Sequence, residues 1–194
     1  MNLTFNLLYL RSLVRVLLMF GQRDAALQRV QQMIALRPED RHALSTLAHL
    51  QVEAGQRDAA IATLEQIVRI YPDFAPGWFN LGFVAEEADH LQKAEAAFRR
   101  AIELDIKFDR AWYGLGICLI RQRRFDEAVQ ALRRNTELQP MSPYGWYQLA
   151  RVHVDRQEPE EAAKIIRHLR GFEPKVAAQL ERETGLGKAP AQVA

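Results

Sequence analysis

The sequence predicts an all-α array of repeated antiparallel helix pairs, and three observations carry that prediction. Trp78, Trp112 and Trp146 stand 34 residues apart each time. Three residues after each comes a leucine, Leu81, Leu115 or Leu149, followed by a small residue, Gly82, Gly116 or Ala150. Sixteen after each comes alanine: Ala94, Ala128, Ala162. Stepping the frame back finds two more copies, with Leu10 and Leu44 in the tryptophan place, Leu13 and Leu47 next, and Ala26 and Ala60 at the alanine. Periods of this length are the signature of stacked supersecondary units. A hydrophobic content of 48% is enough to build a packed interior from them.

Each element has a local reason. First helices are expected near 8–20, 42–54, 76–88, 110–122 and 144–156, and second helices near 23–36, 57–70, 91–104, 125–138 and 159–171. The recurring alanine and the small residue after the leucine belong where two helices cross, because a larger side chain there forces the backbones apart. Gly21 and Gly55 are free to take positive φ after a first helix, and Asp89 is a tolerable stand-in. Pro159 at a second-helix start costs no internal hydrogen bond. Prolines close four of the copies, Pro38, Pro72, Pro140 and Pro174, while Ile106 takes that place in the third. Beyond the fifth copy, Val176, Ala177 and Leu180 give one apolar face to a capping helix over 177–186 that Gly185 ends, with Glu181, Arg182 and Glu183 outward. Residues 187–194 read as a flexible tail.

With its Trp, Leu, small residue, Ala and Pro in phase, the chain resembles the tetratricopeptide repeat family, whose unit is a helix pair of about 34 residues. The resemblance implies a right-handed α-solenoid of about five repeats, 7–40, 41–74, 75–108, 109–142 and 143–176. The family's late aromatic is Phe98 in the third repeat and an apolar substitute, Val30, Leu64, Leu132 or Ile166, elsewhere.

Composition excludes several function classes. Lys and Arg number 26 against 24 Asp and Glu, and the five repeats carry net charges of +2, −1, −2, +2 and +1, so no basic stripe suits nucleic acid. The run Arg121, Arg123, Arg124, with Arg133 and Arg134, reads as a solvated face. Cys118 is the single cysteine and is expected as a small core hydrophobe. The histidines His42, His49, His90, His153 and His168 fall in different places without a cluster of close ligands, so no metal, cofactor or catalytic residue is expected. Arg11 and Arg15 interrupt the apolar run Leu7–Phe20, which is shorter than the ~20 residues of a span and lacks a basic leader before it. A cytoplasmic, non-enzymatic protein is expected.

The resemblance implies that first helices line a concave surface, where candidate peptide contacts are Phe79, Asn80, Phe83, Arg110, Tyr113, Tyr147 and Arg151. In many members an asparagine at the place of Asn80 hydrogen-bonds the bound peptide's backbone. The carboxylate clamp of chaperone-binding members is not reproduced: Asn80 and Arg110 match it, but Ser45, His49 and Gly114 occupy its other places. The reading is an interaction scaffold or adaptor for a protein or peptide. Its rivals are an assembly factor or secretion chaperone shielding an apolar client segment, and a non-catalytic regulatory subunit of an enzyme complex. The first helix is apolar around its whole circumference, which calls for a further contact, most simply a homo-oligomer through Leu8 and Leu18; membrane contact is not expected.

Overall fold

The structure is a computed structural model that describes residues 3–186. Among these, eleven α-helices follow one another: α1 Leu3–Met19, α2 Arg23–Leu36, α3 Arg41–Glu53, α4 Arg57–Ile70, α5 Ala75–Glu87, α6 Leu91–Leu104, α7 Asp109–Arg121, α8 Phe125–Leu138, α9 Pro143–Asp155, α10 Pro159–Arg170 and α11 Pro174–Thr184. The chain divides into two compact units, Met1–Ala97 and Phe98–Ala194. Most helix limits fall within one residue of the sequence expectation. Two differ by more. No proline or glycine interrupts residues 3–20, so α1 starts five residues earlier than the apolar pattern alone suggests. Helix α11 starts at Pro174, which loses no hydrogen bond at a first helical position, and ends at Gly185 in the left-handed conformation (φ 72°). The expected tail, 187–194, lies outside the described residues.

The 34-residue register sets the packing. Ala26, Ala60, Ala94, Ala128 and Ala162 have no exposed surface at all. At Gly116 a β-carbon would stand 2.7 Å from Leu132, and at Gly114 one would stand 2.6 Å from the Phe98 ring. Both glycines are therefore spacers that let large side chains of a second helix reach the first helix's backbone.

The three tryptophans share a further role. Each ring N–H donates to the carbonyl six residues earlier, Trp78 to Pro72 at 2.8 Å, Trp112 to Ile106 at 2.9 Å and Trp146 to Pro140 at 2.9 Å. The ring thus ties down the turn that precedes its own helix. A carbonyl is what that bond needs, so Ile106 serves as well as proline.

In the N-terminal unit, Leu7, Leu10 and Val14 of α1 pack with Val30 and Met33 of α2 and with Ala43 and Leu50 of α3. Leu18 packs against this cluster, whereas Leu8 is exposed. Of the two residues expected at a self-association surface, Leu8 is therefore open to solvent and Leu18 is half-buried against this cluster. Arg11 crosses to Asp40, with nitrogen and oxygen 2.6 Å apart, and Asp40 in turn accepts from the Ala43 amide to cap α3. In the C-terminal unit, Leu149, Val152, Ile166 and Leu169 close over Ala177 and Leu180 of α11, which is completely buried at Leu180.

Candidate functional site

Helical periodicity decides which first-helix side chains can meet a ligand. On α5, Asn80, Phe83 and Glu87 recur at three- and four-residue steps on the side away from the core, while Phe79, Leu81, Val84 and Ala85 face inward. Asn80 presents an amide with both donors and an acceptor to solvent. Phe83 is 46% exposed and stacks on Phe79 with ring centroids 6.4 Å apart. Phe79 itself is 6% exposed, so its expected role as a contact is corrected to that of a core support beneath Phe83. One repeat earlier on α3, His49 and Glu53 stand at the places of Phe83 and Glu87, with nitrogen and oxygen 3.8 Å apart.

In the C-terminal unit the same register brings Arg110, Tyr113 and Ile117 on α7, and Tyr144, Tyr147, Gln148 and Arg151 on α9. Arg110, Tyr144 and Arg151 are exposed, Tyr144 at 72%. Tyr113 is half-buried against the core cluster of this unit, and its ring is part support and part surface.

Tyr147 and Arg151 are already engaged. The Tyr147 hydroxyl donates to Glu183 of α11 at 2.7 Å and accepts from Arg151 at 3.3 Å, and Gln179 donates to Glu183 at 2.8 Å. Arg151 also stands 5.9 Å above the Tyr147 ring. Hydrogen bonds from Gln179 and Tyr147 and the Arg151 charge outweigh the small effect of burial and hold the Glu183 carboxyl below its ordinary pKa. The hydrogen bond to Tyr147 keeps Arg151 protonated more firmly still. Glu183, expected outward, instead turns back onto α9. Its partner lies 36 residues away in sequence, and nothing in the pattern of α11 announces the contact.

Other candidates resolve as structural. Cys118 is fully buried. His153, 3% exposed, has its Nδ1 2.6 Å from Glu158 at the next helix start, and Arg156 bridges Glu158 and Asp126. The basic run is answered locally: Arg124 pairs with Glu127 at 2.7 Å and Arg134 with Glu137 at 2.7 Å, while Arg123 lies over the Phe125 ring. Among the described residues no three His, Cys, Asp or Glu side chains gather as metal ligands, and no helix is long and apolar enough to cross a membrane.

Against known proteins, the tetratricopeptide repeat family matches residues 17–81, 85–143 and 119–174. No curated protein matches the sequence. Among solved structures, that of MamA protein superposes with a TM-score of 0.81 at 20% identity, covering 95% of this chain and 98% of that one. YrrB, described as a TPR protein with an unusual peptide-binding site, gives 0.75 at 19% identity over 87% of this chain and 88% of its own. A thermophilic TPR protein of Thermus thermophilus gives 0.62 at 19% over 92% and 97%. At these identities the likeness concerns the fold. With the family matches running from residue 17 to 174 and the helix pairs in register, the chain belongs to the tetratricopeptide repeat family and is an all-α solenoid of such repeats.

Proposed function

We propose that this chain is a non-catalytic cytoplasmic scaffold that binds an extended segment of another protein on the exposed faces of its first helices. Protein interaction in general is what the family and fold support. The observation that carries the finer reading is the pairing of Asn80 and Phe83 on α5. An amide offering donor and acceptor stands one turn from a ring held outward by a buried ring behind it. An extended peptide has unpaired backbone N–H and C=O groups alternating with side chains, so an amide and a ring about one turn apart suit it. YrrB's peptide-binding site is a precedent on a similar fold. Arg110 and Tyr144 supply comparable handles on the C-terminal unit. Tyr147 and Arg151 contribute only where a ligand replaces Glu183.

Peptides selected from a displayed random library on the immobilised chain provide the test. Asn80→Ala combined with Phe83→Ala is expected to weaken selected peptides at least roughly tenfold, about 1.4 kcal/mol, with the thermal midpoint almost unmoved. Selected peptides that bind the double variant as tightly as the wild type would remove this reading.

A further inference from the structure

Helix α1 carries two apolar stripes on opposite sides. Leu7, Leu10 and Val14 are 3–5% exposed and face the array. Phe5, Leu8, Tyr9, Val16, Met19 and, just past the helix end, Phe20 are 46–73% exposed. At about 100° per residue these six fall within roughly 120° of one another, centred on Ser12 and diametrically opposite the buried stripe.

The repeat register shows what cannot cover them. Tyr9 corresponds to Ala43, Gly77, Ala111 and Gly145, all buried, and Val16 corresponds to Leu50, Val84, Cys118 and Val152, all buried. In the later repeats these positions sit in the interior, and the first of them needs a residue with little or no side chain. A β-carbon on Gly145 would fall 2.1 Å from Asn135, and one on Gly77 would fall 2.9 Å from Phe74. Tyr9 puts a phenol ring there, so another repeat, or the end of another copy, cannot stack on α1 in the array's own register. A lipid surface is also a poor fit. Interfacial helices carry a strongly basic polar face, whereas α1 has only Arg11 and Arg15, and Arg11 is held by Asp40.

We infer that the outer face of α1 is an isologous dimer interface, in which two copies of α1 pair antiparallel about a twofold axis at Ser12. The residue types are complementary under that operation. Phe5 meets Met19 of the second copy, Leu8 meets Val16, Tyr9 meets Arg15 so that a ring receives a cation, and Ser12 meets itself. Ser12 is the small residue of the stripe, which allows close approach where the helices cross. With ~150–250 Å² available for each large side chain, the exposed six present on the order of 700 Å², against ~800 Å² per partner in a stable complex. Among the described residues, the outer side of α11 is polar, with Lys175, Gln179 and Arg182 exposed, and offers no matching apolar face.

Sedimentation equilibrium of the full chain from low to high micromolar concentration tests the interface. The wild type is expected to show a monomer–dimer equilibrium. Leu8→Glu with Val16→Glu is expected to raise its Kd by roughly 100-fold or more while leaving the helical circular dichroism unchanged, because both positions are solvated in the monomer. Ser12→Cys should form a disulfide-linked dimer under oxidation, Cys118 being buried, whereas Gln130→Cys, exposed on α8, should not. A wild type that stays monomeric overturns the proposal, and one that also binds anionic vesicles reassigns the face to lipid. A dimer indifferent to the two glutamates, or a Ser12→Cys variant that fails to cross-link, overturns it equally.

Discussion

Arg123 and Gln157 hold φ angles of 60° and 61°, in register with Gly21, Gly55 and Asp89 at 68°, 73° and 64°. Every first helix thus ends in the same left-handed residue, yet only two of the five are glycine. A β-carbon there costs roughly 1–2 kcal/mol, partly offset by the greater freedom glycine loses on folding. Gln157→Gly is therefore expected to stabilise the chain by about 0.5–1 kcal/mol, and Gly55→Ala to destabilise it by about 1 kcal/mol, both read from denaturant midpoints. A second residue-scale test concerns Ile106. Its carbonyl serves Trp112 while its own side chain is 54% exposed. Ile106→Pro should be stabilising by about 0.4–1 kcal/mol, as proline already occupies the same turn position at Pro38, Pro72 and Pro140 and restricts the unfolded chain. An unfolded or strongly destabilised Ile106→Pro would show that this turn departs from its siblings.

Between elements, the tie from α1 to α3 runs through Asp40. Burial alone would raise its carboxyl pKa, but the Ala43 amide and the Arg11 guanidinium outweigh burial and hold it below the ordinary 3.8. A group whose folded pKa is depressed contributes stability that is present above the unfolded pKa and is lost as pH falls through the folded one. Asp40→Asn keeps an oxygen for the cap but removes the charge. Its expected cost is about 1–2 kcal/mol at neutral pH, shrinking towards zero as pH falls below the ordinary value, and urea melts along a pH series would show it. A difference that is constant with pH would mean that Arg11 contributes nothing through charge. This contact also marks the limit of what was legible in the sequence. Helix limits and the alanine and glycine crossings follow from local chemistry repeated at 34 residues, so they can be read directly. Which ring of Phe79 and Phe83 faces out, and that Tyr147 and Arg151 meet Glu183 rather than open solvent, depend on packing between distant segments. The sequence pattern of α1 likewise shows apolar residues all round, but only packing against α2 and α3 decides which half is covered.

At the scale of the molecule, an array of this kind is held by neighbour contacts, so loss of an end is felt first by the repeat beside it. The C-terminal end is closed by α11, whose Leu180 has no exposed surface and lies in the cluster with Val152, Ile166 and Leu169. Truncating that side chain removes the hub of the cap without touching Tyr147, Glu183 or the helix ends. Leu180→Ala is expected to cost about 2–5 kcal/mol locally. Because repeats are coupled only to their neighbours, the loss should not spread evenly. Amide exchange in α9 and α10 is expected to accelerate at least roughly tenfold, while the protection of α1 to α4 in the N-terminal unit stays as in the wild type. Uniform acceleration across all helices would instead mean that the chain unfolds as one cooperative body, in which case the cap sets global rather than local stability.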